Sequence, residues 1–153
     1  MADKKVYEVS NEVVATLGTL WTKLHQYHFY VQGPHFYSLH VKFEEMYDDI
    51  AEQYDDLAEM LLTMGQEPVA TQAENQELSV VKENKDDKNL GADEMVANLL
   101  ADYKATSAKI QEAMHAAQDD DESCLEDLLI EIKTSVDTAV WMLSAYLGKK
   151  VEK

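Results

Sequence analysis

Helical periodicity of the apolar residues constrains this chain more than any other feature. Apolar side chains recur in steps of three and four residues in four long segments, which predicts one apolar face per helix. We expect helices over residues 10–32, 36–64, 93–117 and 123–148. Gly and Pro together number only seven, so the composition favours long helices over a turn-rich β protein. The sequence predicts an all-α domain of 153 residues.

The apolar positions of the predicted helices are expected to form one core. In the second segment they recur at a spacing close to 3.5, typical of a helix bundle. They are Leu39, Phe43, Met46, Ile50, Leu57, Leu61 and Met64. Gly33 and Pro34 are expected to end the first helix, and Gly65 to cap the second. We place Trp21 in the core-facing stripe of the first helix, Trp141 on or beside the packed face of the last helix, and Cys124 in a small packing role.

One side of the second helix carries a set of side chains that can bind metal. These are His40, Glu44, Asp55 and Glu59, because four residues advance about 40° around a helix and eleven about 20°. One imidazole and three carboxylates suit iron, manganese or zinc. The competing interpretation is a solvated charged face, which the many neighbouring acidic residues favour.

The two pairs of this stripe are too far apart for one metal centre. About fifteen residues separate His40 and Glu44 from Asp55 and Glu59, which is about 22 Å along a helix. Either the pairs are unrelated half-sites or another helix completes each. The economical solution is a two-fold dimer in which two antiparallel copies of this helix cross near Ile50. Each pair would then face the complementary pair of the other copy.

The motif H-Q-Y-H-F-Y-V-Q-G-P-H-F-Y-S-L-H-V-K-F-E-E-M-Y, followed by D-D-L-A-E, resembles the ferroxidase signature of the Dps family, the twelve-subunit miniferritins. The resemblance is strong over residues 20–68 and weaker over 123–149. It implies a ferritin-like four-helix bundle with a short extra helix in the long crossover between the second and third helices. Two departures stand out: Glu44 replaces the Asp of many members, and Phe29 replaces a Trp.

The resemblance also implies a site and an activity. The ligands would be His28, His40 and Glu44 of one subunit, with Asp55 and Glu59 of its two-fold mate. A homododecameric cage would oxidise Fe²⁺ with hydrogen peroxide at these sites and store Fe³⁺ as a mineral, protecting the cell against oxidative stress. His28 lies on an apolar helix face, where a histidine is otherwise a satisfied core residue.

Charge weighs against the alternative of a DNA-compacting protein with little ferroxidase activity. The chain has 30 acidic residues, 13 lysines and no arginine, for a net charge of −17. Phosphate binding needs a basic patch, and the chain offers only Lys4, Lys5, Lys149, Lys150 and Lys153 at its ends. No apolar run is long enough for a signal or membrane segment, so we expect a cytoplasmic protein without membrane contact. A purely structural helix bundle remains a further alternative.

Acidic residues before the last helix suggest a cation entry route. Asp127, with Asp120 or Asp121 and with Glu131, could line a three-fold pore that concentrates Fe²⁺. Acidic residues near a helix start are also favoured by the helix dipole, which is a purely structural explanation. Ser123 and Glu126 are expected to form a capping box there.

Several other residues have side chains that could bind metal or be oxidised. Glu112 and His115 form one E-x-x-H motif without a counterpart, so we interpret them as surface residues. His25 is interpreted as a surface or interface residue. Tyr47 and Tyr54 could absorb stray oxidising equivalents, but aromatic packing explains them equally well. In the crossover, Thr71 and Glu74 predict a capping box and a short helix over 72–79, followed by a polar surface loop.

Overall fold

A computed structural model describes residues 4–152, apart from the side chain of Lys4. Lys153 and the Lys4 side chain, two of the basic groups considered above, therefore lie outside the description. The elements are α1 (Lys4–Tyr30), α2 (Phe36–Thr63), α3 (Gln72–Leu78), a 3₁₀ turn (Lys85–Asn89), α4 (Ala92–Asp119) and α5 (Ser123–Tyr146). The described residues contain no strand, which confirms the all-α class. None of the described helices is long and apolar enough to cross a membrane.

The four long helices pack as two pairs, α1 with α2 and α4 with α5. Contacts between α1 and α4 join the pairs, and α3 lies against α1. The predicted seam of α2 is buried, except that Met64 is only half-buried. It meets buried leucines of α1 and α4, namely Leu17, Leu20, Leu24 and Leu99. This four-helix bundle places the end of α1 beside the start of α2, where both histidines of the predicted site lie.

Three large or reactive side chains lie outside the core, contrary to prediction. Trp21 is 42% exposed, Trp141 is 55% exposed and Cys124 is exposed. Each is adjacent in sequence to a buried residue. On a helix, adjacent side chains point in directions about 100° apart, so each of the three points away from the core. The neighbours Leu20, Val140 and Leu125 are the ones that face the core.

Gly65 caps α2 as predicted, and a second glycine, Gly148, ends α5. Gly65 has φ 78°; its N–H donates to the Leu62 carbonyl oxygen at 3.0 Å, and Gln66 N–H donates to that of Leu61 at 2.9 Å. These two bonds form a Schellman motif. Gly148, with φ 75°, ends α5 in the same way.

The corner between α4 and α5 uses the same motif without a glycine. Asp121 has φ 56°, and Glu122 N–H donates to the Ala117 carbonyl oxygen at 2.9 Å. Glu122 thereby also becomes the N-cap of α5, and no side-chain cap bond forms there. The predicted capping box of Ser123 and Glu126 is therefore wrong, because Ser123 already lies inside the helix.

The capping box of the crossover is confirmed. Glu74 N–H donates to Thr71 Oγ1 at 3.2 Å, and the Glu74 carboxylate accepts from Thr71 Oγ1 at 2.9 Å and from Ala70 N–H at 3.2 Å. These bonds lower the pKa of Glu74, the backbone bond from Ala70 most. After α3, buried Lys23 donates to the Lys82 carbonyl oxygen at 2.8 Å, which attaches the polar tract to α1.

Candidate metal centre

The two histidines of the predicted site face each other across the α1–α2 turn. His28 lies in the last turn of α1 and His40 in the second turn of α2. Gly33, with φ 110°, allows the chain to reverse between them, and Phe36 N–H donates to its carbonyl oxygen at 3.0 Å. The imidazole rings stack with centroids 3.7 Å apart and planes 13° apart.

Each histidine ring is held by the backbone of the other. His28 Nδ1 lies 2.7 Å from the His40 carbonyl oxygen, and His40 Nδ1 lies 2.8 Å from the His28 carbonyl oxygen. A carbonyl oxygen can only accept, so both Nδ1 atoms carry the proton in these bonds. Both Nε2 atoms then keep a lone pair, which is how a histidine is oriented when its other nitrogen binds a metal.

One of these bonds also completes a helix end. The His28 carbonyl is among the last four of α1, which have no N–H partner within the helix. Val31 N–H satisfies the Tyr27 carbonyl at 3.0 Å, whereas the His40 imidazole satisfies that of His28. His40 is therefore both a candidate ligand and a cap of α1.

Glu44 adds an oxygen donor beside these rings. Its Oε1 atom lies 3.9 Å from His28 Nε2. Metal–nitrogen and metal–oxygen bonds are each about 2.1 Å, so one ion fits between these two atoms. The Glu44 side chain is 54% exposed, whereas that of His28 is 8% exposed, so the carboxylate can move toward an ion held by a fixed ring. Nitrogen and oxygen donors together fit a first-row divalent ion such as Fe²⁺.

The stacking of the rings limits what they can share. A metal bound to imidazole lies near the ring plane, and the planes of His28 and His40 are nearly parallel with centroids 3.7 Å apart. One ion cannot lie in both planes. The arrangement therefore suits two neighbouring ions, one on each ring.

Asp55 and Glu59 form a separate acidic pair on α2. Both side chains are exposed and one turn apart, and they share a hydrogen bond. That bond, the Asp55 charge, desolvation and the Asp56 charge raise the pKa of Glu59. A cation bound beside both carboxylates would offset the repulsion between them.

A single chain does not complete the site. The described residues of one chain bring no three His, Cys, Asp or Glu side chains into an arrangement that could hold a metal ion. Asp55 and Glu59 lie about three and four turns beyond Glu44 on the same continuous helix. The set of five ligands therefore remains a prediction that needs a second copy of the chain. Within one chain, its two halves lie far apart along α2.

The candidate pore residues lie around the α4–α5 corner. Asp121 adopts the left-handed conformation there, Asp120 borders a small cavity with His115, and Asp127 is exposed on the first turns of α5. Glu131 is exposed one turn further and borders a groove with Asp49 and Asp56 of α2. One chain cannot form a three-fold channel, so the pore stays a prediction. Glu112 and His115 are exposed, as expected.

Sequence reasoning missed the backbone bonds of the histidines and the ring behind them. Phe36 stacks on His40 with centroids 4.9 Å apart and planes 23° apart. The contact between Phe36 and His40 could have been predicted from the sequence, because Phe36 precedes His40 by one helical turn and the two side chains share a face. The carbonyl bonds depend on the angle between α1 and α2, which the sequence pattern does not give.

Comparisons with known proteins give the family. The sequence model of a family described as "Ferritin-like domain" matches residues 10–151. "DNA protection during starvation protein 2" of Bacillus anthracis is 40% identical over 147 residues, 96% of this chain and 99% of that protein. "General stress protein 20U" of Bacillus subtilis is 35% identical over 95% of this chain and 99% of its own. The crystal structure of Dps from Staphylococcus aureus superposes with a TM-score of 0.91 at 38% identity, covering 99% of this chain and 100% of that one. The chain belongs to the Dps family of ferritin-like proteins.

Proposed function

We propose that this protein is a ferroxidase and iron store whose substrates are Fe²⁺ and hydrogen peroxide. The site would combine His28, His40 and Glu44 of one copy with Asp55 and Glu59 of a second. The observation that carries the proposal is the reciprocal histidine–carbonyl pair, which leaves two Nε2 lone pairs free beside an exposed carboxylate. A structural histidine in a core would instead direct both nitrogens to protein partners.

Two neighbouring ions match the chemistry of the oxidant. Each hydrogen peroxide molecule accepts two electrons, one from each of two Fe²⁺ ions, and takes up two protons to give two water molecules. Neither ion then has to supply both electrons, and no one-electron product of peroxide is released. The carboxylates offset the added charge of Fe³⁺, which favours oxygen donors.

The assembly we propose is a hollow homododecamer with an Fe³⁺ mineral inside. One chain exposes large apolar side chains that contacts between subunits would cover, among them Phe29, Tyr37 and Leu62. The net charge of −17 attracts cations, and Asp127 with Asp120 or Asp121 would guide Fe²⁺ through the three-fold pore. Consuming Fe²⁺ together with peroxide would protect the cell from oxidative damage.

The second candidate function is DNA compaction, which the printed name of the Bacillus anthracis relative favours. The charge of this chain opposes it, since no arginine is present and lysines are outnumbered by acidic residues. We expect no mobility shift of duplex DNA at low salt without divalent ions. Tight binding under these conditions would make DNA the primary ligand.

A complementation experiment tests the shared site. One variant carries His28→Ala and His40→Ala, the other Asp55→Asn and Glu59→Gln, and ferric absorbance is followed after peroxide is added to anaerobic Fe²⁺. Each variant alone should be inactive. When the two variants are co-expressed at equal amounts, half of the two-fold dimers contain one copy of each. Each mixed dimer regains one of its two sites, because the intact histidines of one copy meet the intact carboxylates of the other. The mixture should therefore recover about a quarter of the wild-type rate.

The control for complementation is Trp141→Phe, an exposed position on α5 rather than on the two helices that carry the halves, which should keep the full rate. A mixture as inactive as its parents would mean that the two halves do not combine across copies. Normal rates in both parents would mean that iron is oxidised elsewhere.

The pore is tested separately with Asp127→Asn. Iron uptake should slow at low Fe²⁺ concentration and approach the wild-type rate at high concentration, because the substitution weakens attraction rather than chemistry. Asp137→Asn removes an equal charge from the same helix and serves as the control. Equal rates for wild type and Asp127→Asn at every concentration would remove Asp127 from the entry route.

A further inference from the structure

A continuous series of aromatic contacts leads from the candidate metal centre to the surface. The Tyr47 ring meets His28 edge-on with centroids 5.4 Å apart, and it stacks on His25 at 3.8 Å with planes 19° apart. His25 in turn contacts Trp21 at 4.4 Å, and Trp21 is 42% exposed. We name Tyr47, His25 and Trp21 the aromatic path.

The chemistry of the rings around the site singles out Tyr47. His28 also contacts Phe29 at 5.7 Å, and His40 contacts Phe36 at 4.9 Å. A phenyl ring loses an electron far less readily than a phenol or an indole. Of the rings seen against the two site histidines in the described structure, Tyr47 is therefore the one that can be oxidised.

Tyr54, the other tyrosine considered for this role, has different surroundings. Its hydroxyl lies 3.4 Å from Asn75 Nδ2, and its ring would be 3.2 Å from a Cβ atom at Gly18. These contacts place Tyr54 between α1 and α3, away from His28. The structure thus separates two tyrosines that the sequence left equivalent.

His25 is positioned to join Tyr47 to Trp21. Its Nδ1 atom lies 2.7 Å from the Trp21 carbonyl oxygen, one helical turn earlier, so the ring is fixed. The fixed ring stacks on Tyr47 and also contacts the indole, with the imidazole and indole planes 59° apart. Ring contacts this short give strong electronic coupling, so His25 can bridge electron transfer between Tyr47 and Trp21 without being oxidised itself.

We propose that Tyr47 and Trp21 supply an electron when peroxide reacts at a site holding a single Fe²⁺ ion. This inference rests on the proposed ferroxidase function, which supplies both Fe²⁺ and peroxide. Fe²⁺, hydrogen peroxide and the Tyr47 phenol give Fe³⁺, hydroxide, water and the Tyr47 phenoxyl radical, with the phenol hydrogen ending in the water. Trp21 then gives an electron to the phenoxyl through His25 and its indole proton to the solvent, becoming the neutral indolyl radical, while the phenoxyl takes up a proton to restore the Tyr47 phenol.

The protonation of Tyr47 agrees with this step. A phenol is protonated at neutral pH, because its ordinary pKa is about 10. Oxidation then removes a proton together with the electron. The damage is carried from the ligand His28 to Trp21, which binds no metal in the proposed site.

The test loads one Fe²⁺ per site anaerobically, adds excess peroxide, and combines freeze-quench electron paramagnetic resonance with peptide mass spectrometry. Wild type should show a tryptophan radical and oxygenated Trp21. Tyr47→Phe should reduce Trp21 oxidation to the level at Trp141 and increase His28 oxidation. His25→Ala and Trp21→Phe should instead leave a tyrosine radical that ring-deuterated tyrosine identifies.

Trp141→Phe is the matched control, because Trp141 is 55% exposed, against 42% for Trp21, and lies on α5. It should change neither the radical nor the Trp21 product. Equal oxidation of Trp21 and Trp141 in wild type would point to freely diffusing radicals and overturn the aromatic path. Unchanged Trp21 oxidation in Tyr47→Phe would overturn it as well.

The same samples separate this inference from the proposed function. With two Fe²⁺ per peroxide, wild type and Tyr47→Phe should form ferric product at similar rates, since both electrons then come from iron. Absence of ferric product in wild type would contradict the ferroxidase proposal. Rapid ferric product with radicals elsewhere would contradict the aromatic path alone.

Discussion

The two halves of the candidate metal centre differ in how the fold holds them. The histidine half, His28 with His40, is fixed by two imidazole–carbonyl bonds of 2.7 and 2.8 Å and by ring stacking. The carboxylate half, Asp55 with Glu59, is exposed and joined by a hydrogen bond that raises the pKa of Glu59. One half is built into the packing of α1 against α2, and the other depends on a group from outside the chain.

This difference indicates which half of the candidate metal centre stabilises the fold and which half acts only when metal binds. The histidine half contributes to the stability of the metal-free protein because its polar groups are satisfied within the chain. The carboxylate half opposes that stability slightly, since two like charges lie one helical turn apart. Its contribution should appear only when a cation is bound, by mass action on the folded state.

The largest expected effect is that of His28→Ala on the metal-free protein. The substitution removes a buried ring that stacks on the His40 imidazole, together with the N–H donor to the His40 carbonyl oxygen, so we expect a loss of about 2–4 kcal/mol. The midpoint of urea unfolding in the presence of a chelator measures it. His115→Ala, at an exposed histidine, is the control. Equal midpoints for the two variants would show that the histidine half does not stabilise the fold.

Gly18→Ala should have the next largest effect. An alanine in an open helix position stabilises by about 1 kcal/mol, but here its Cβ would come 2.4 Å from Asn75 Nδ2. Buried Asn75 must move, so we expect destabilisation of about 1–2 kcal/mol. Iron oxidation per folded protein should stay at the wild-type rate. A large loss of rate at full stability would mean that α3 acts on the metal centre.

Asp55→Asn should give a small effect of opposite sign to His28→Ala. Without metal, the thermal midpoint should rise by about 1 °C because one of two neighbouring charges is removed. We also expect added Zn²⁺ to raise the thermal midpoint of wild type but not that of Asp55→Asn. Glu45→Gln, at an exposed position one residue from Glu44, controls for a general charge effect. A fall in the metal-free midpoint would mean that the carboxylate half is already satisfied within the chain.

The smallest effect is expected in the crossover, outside both halves. The pKa of Glu74 is lowered, so its capping contribution is present above the unfolded pKa of about 4.5 and is lost as pH falls through the lower folded value. Amide exchange in α3 should accelerate over this acidic range in wild type. In Glu74→Gln it should be faster already at neutral pH and should change little with acid. An unchanged exchange profile would remove the capping role.

The sequence predicted the helices well because each carries a continuous apolar face. It placed the start of α1 six residues late, although Val6 and Val9 extend the same stripe and are buried. The capping box at Ser123 failed because the left-handed Asp121 shifts the start of α5. Local motifs compete at such corners, and the sequence alone does not show which one forms.

The candidate site was predictable as a set of residue types but not as a geometry. Helical spacing placed His40, Glu44, Asp55 and Glu59 on one side of α2, and family resemblance added His28. The pairing of Nδ1 atoms with carbonyls and the contacts of Tyr47 arise where α1 meets α2. These contacts depend on the angle and distance at which α1 and α2 cross, which the residue pattern of either helix does not specify.

The bond between the His40 imidazole and the His28 carbonyl has a consequence for protein engineering. Replacing His40 with cysteine or glutamate, to select a softer or harder metal, would also remove the N–H donor that closes α1. Such a redesign needs a new donor for that carbonyl, or altered metal preference will be confounded with fraying of the helix. Metal specificity and helix termination at this position must therefore be designed together.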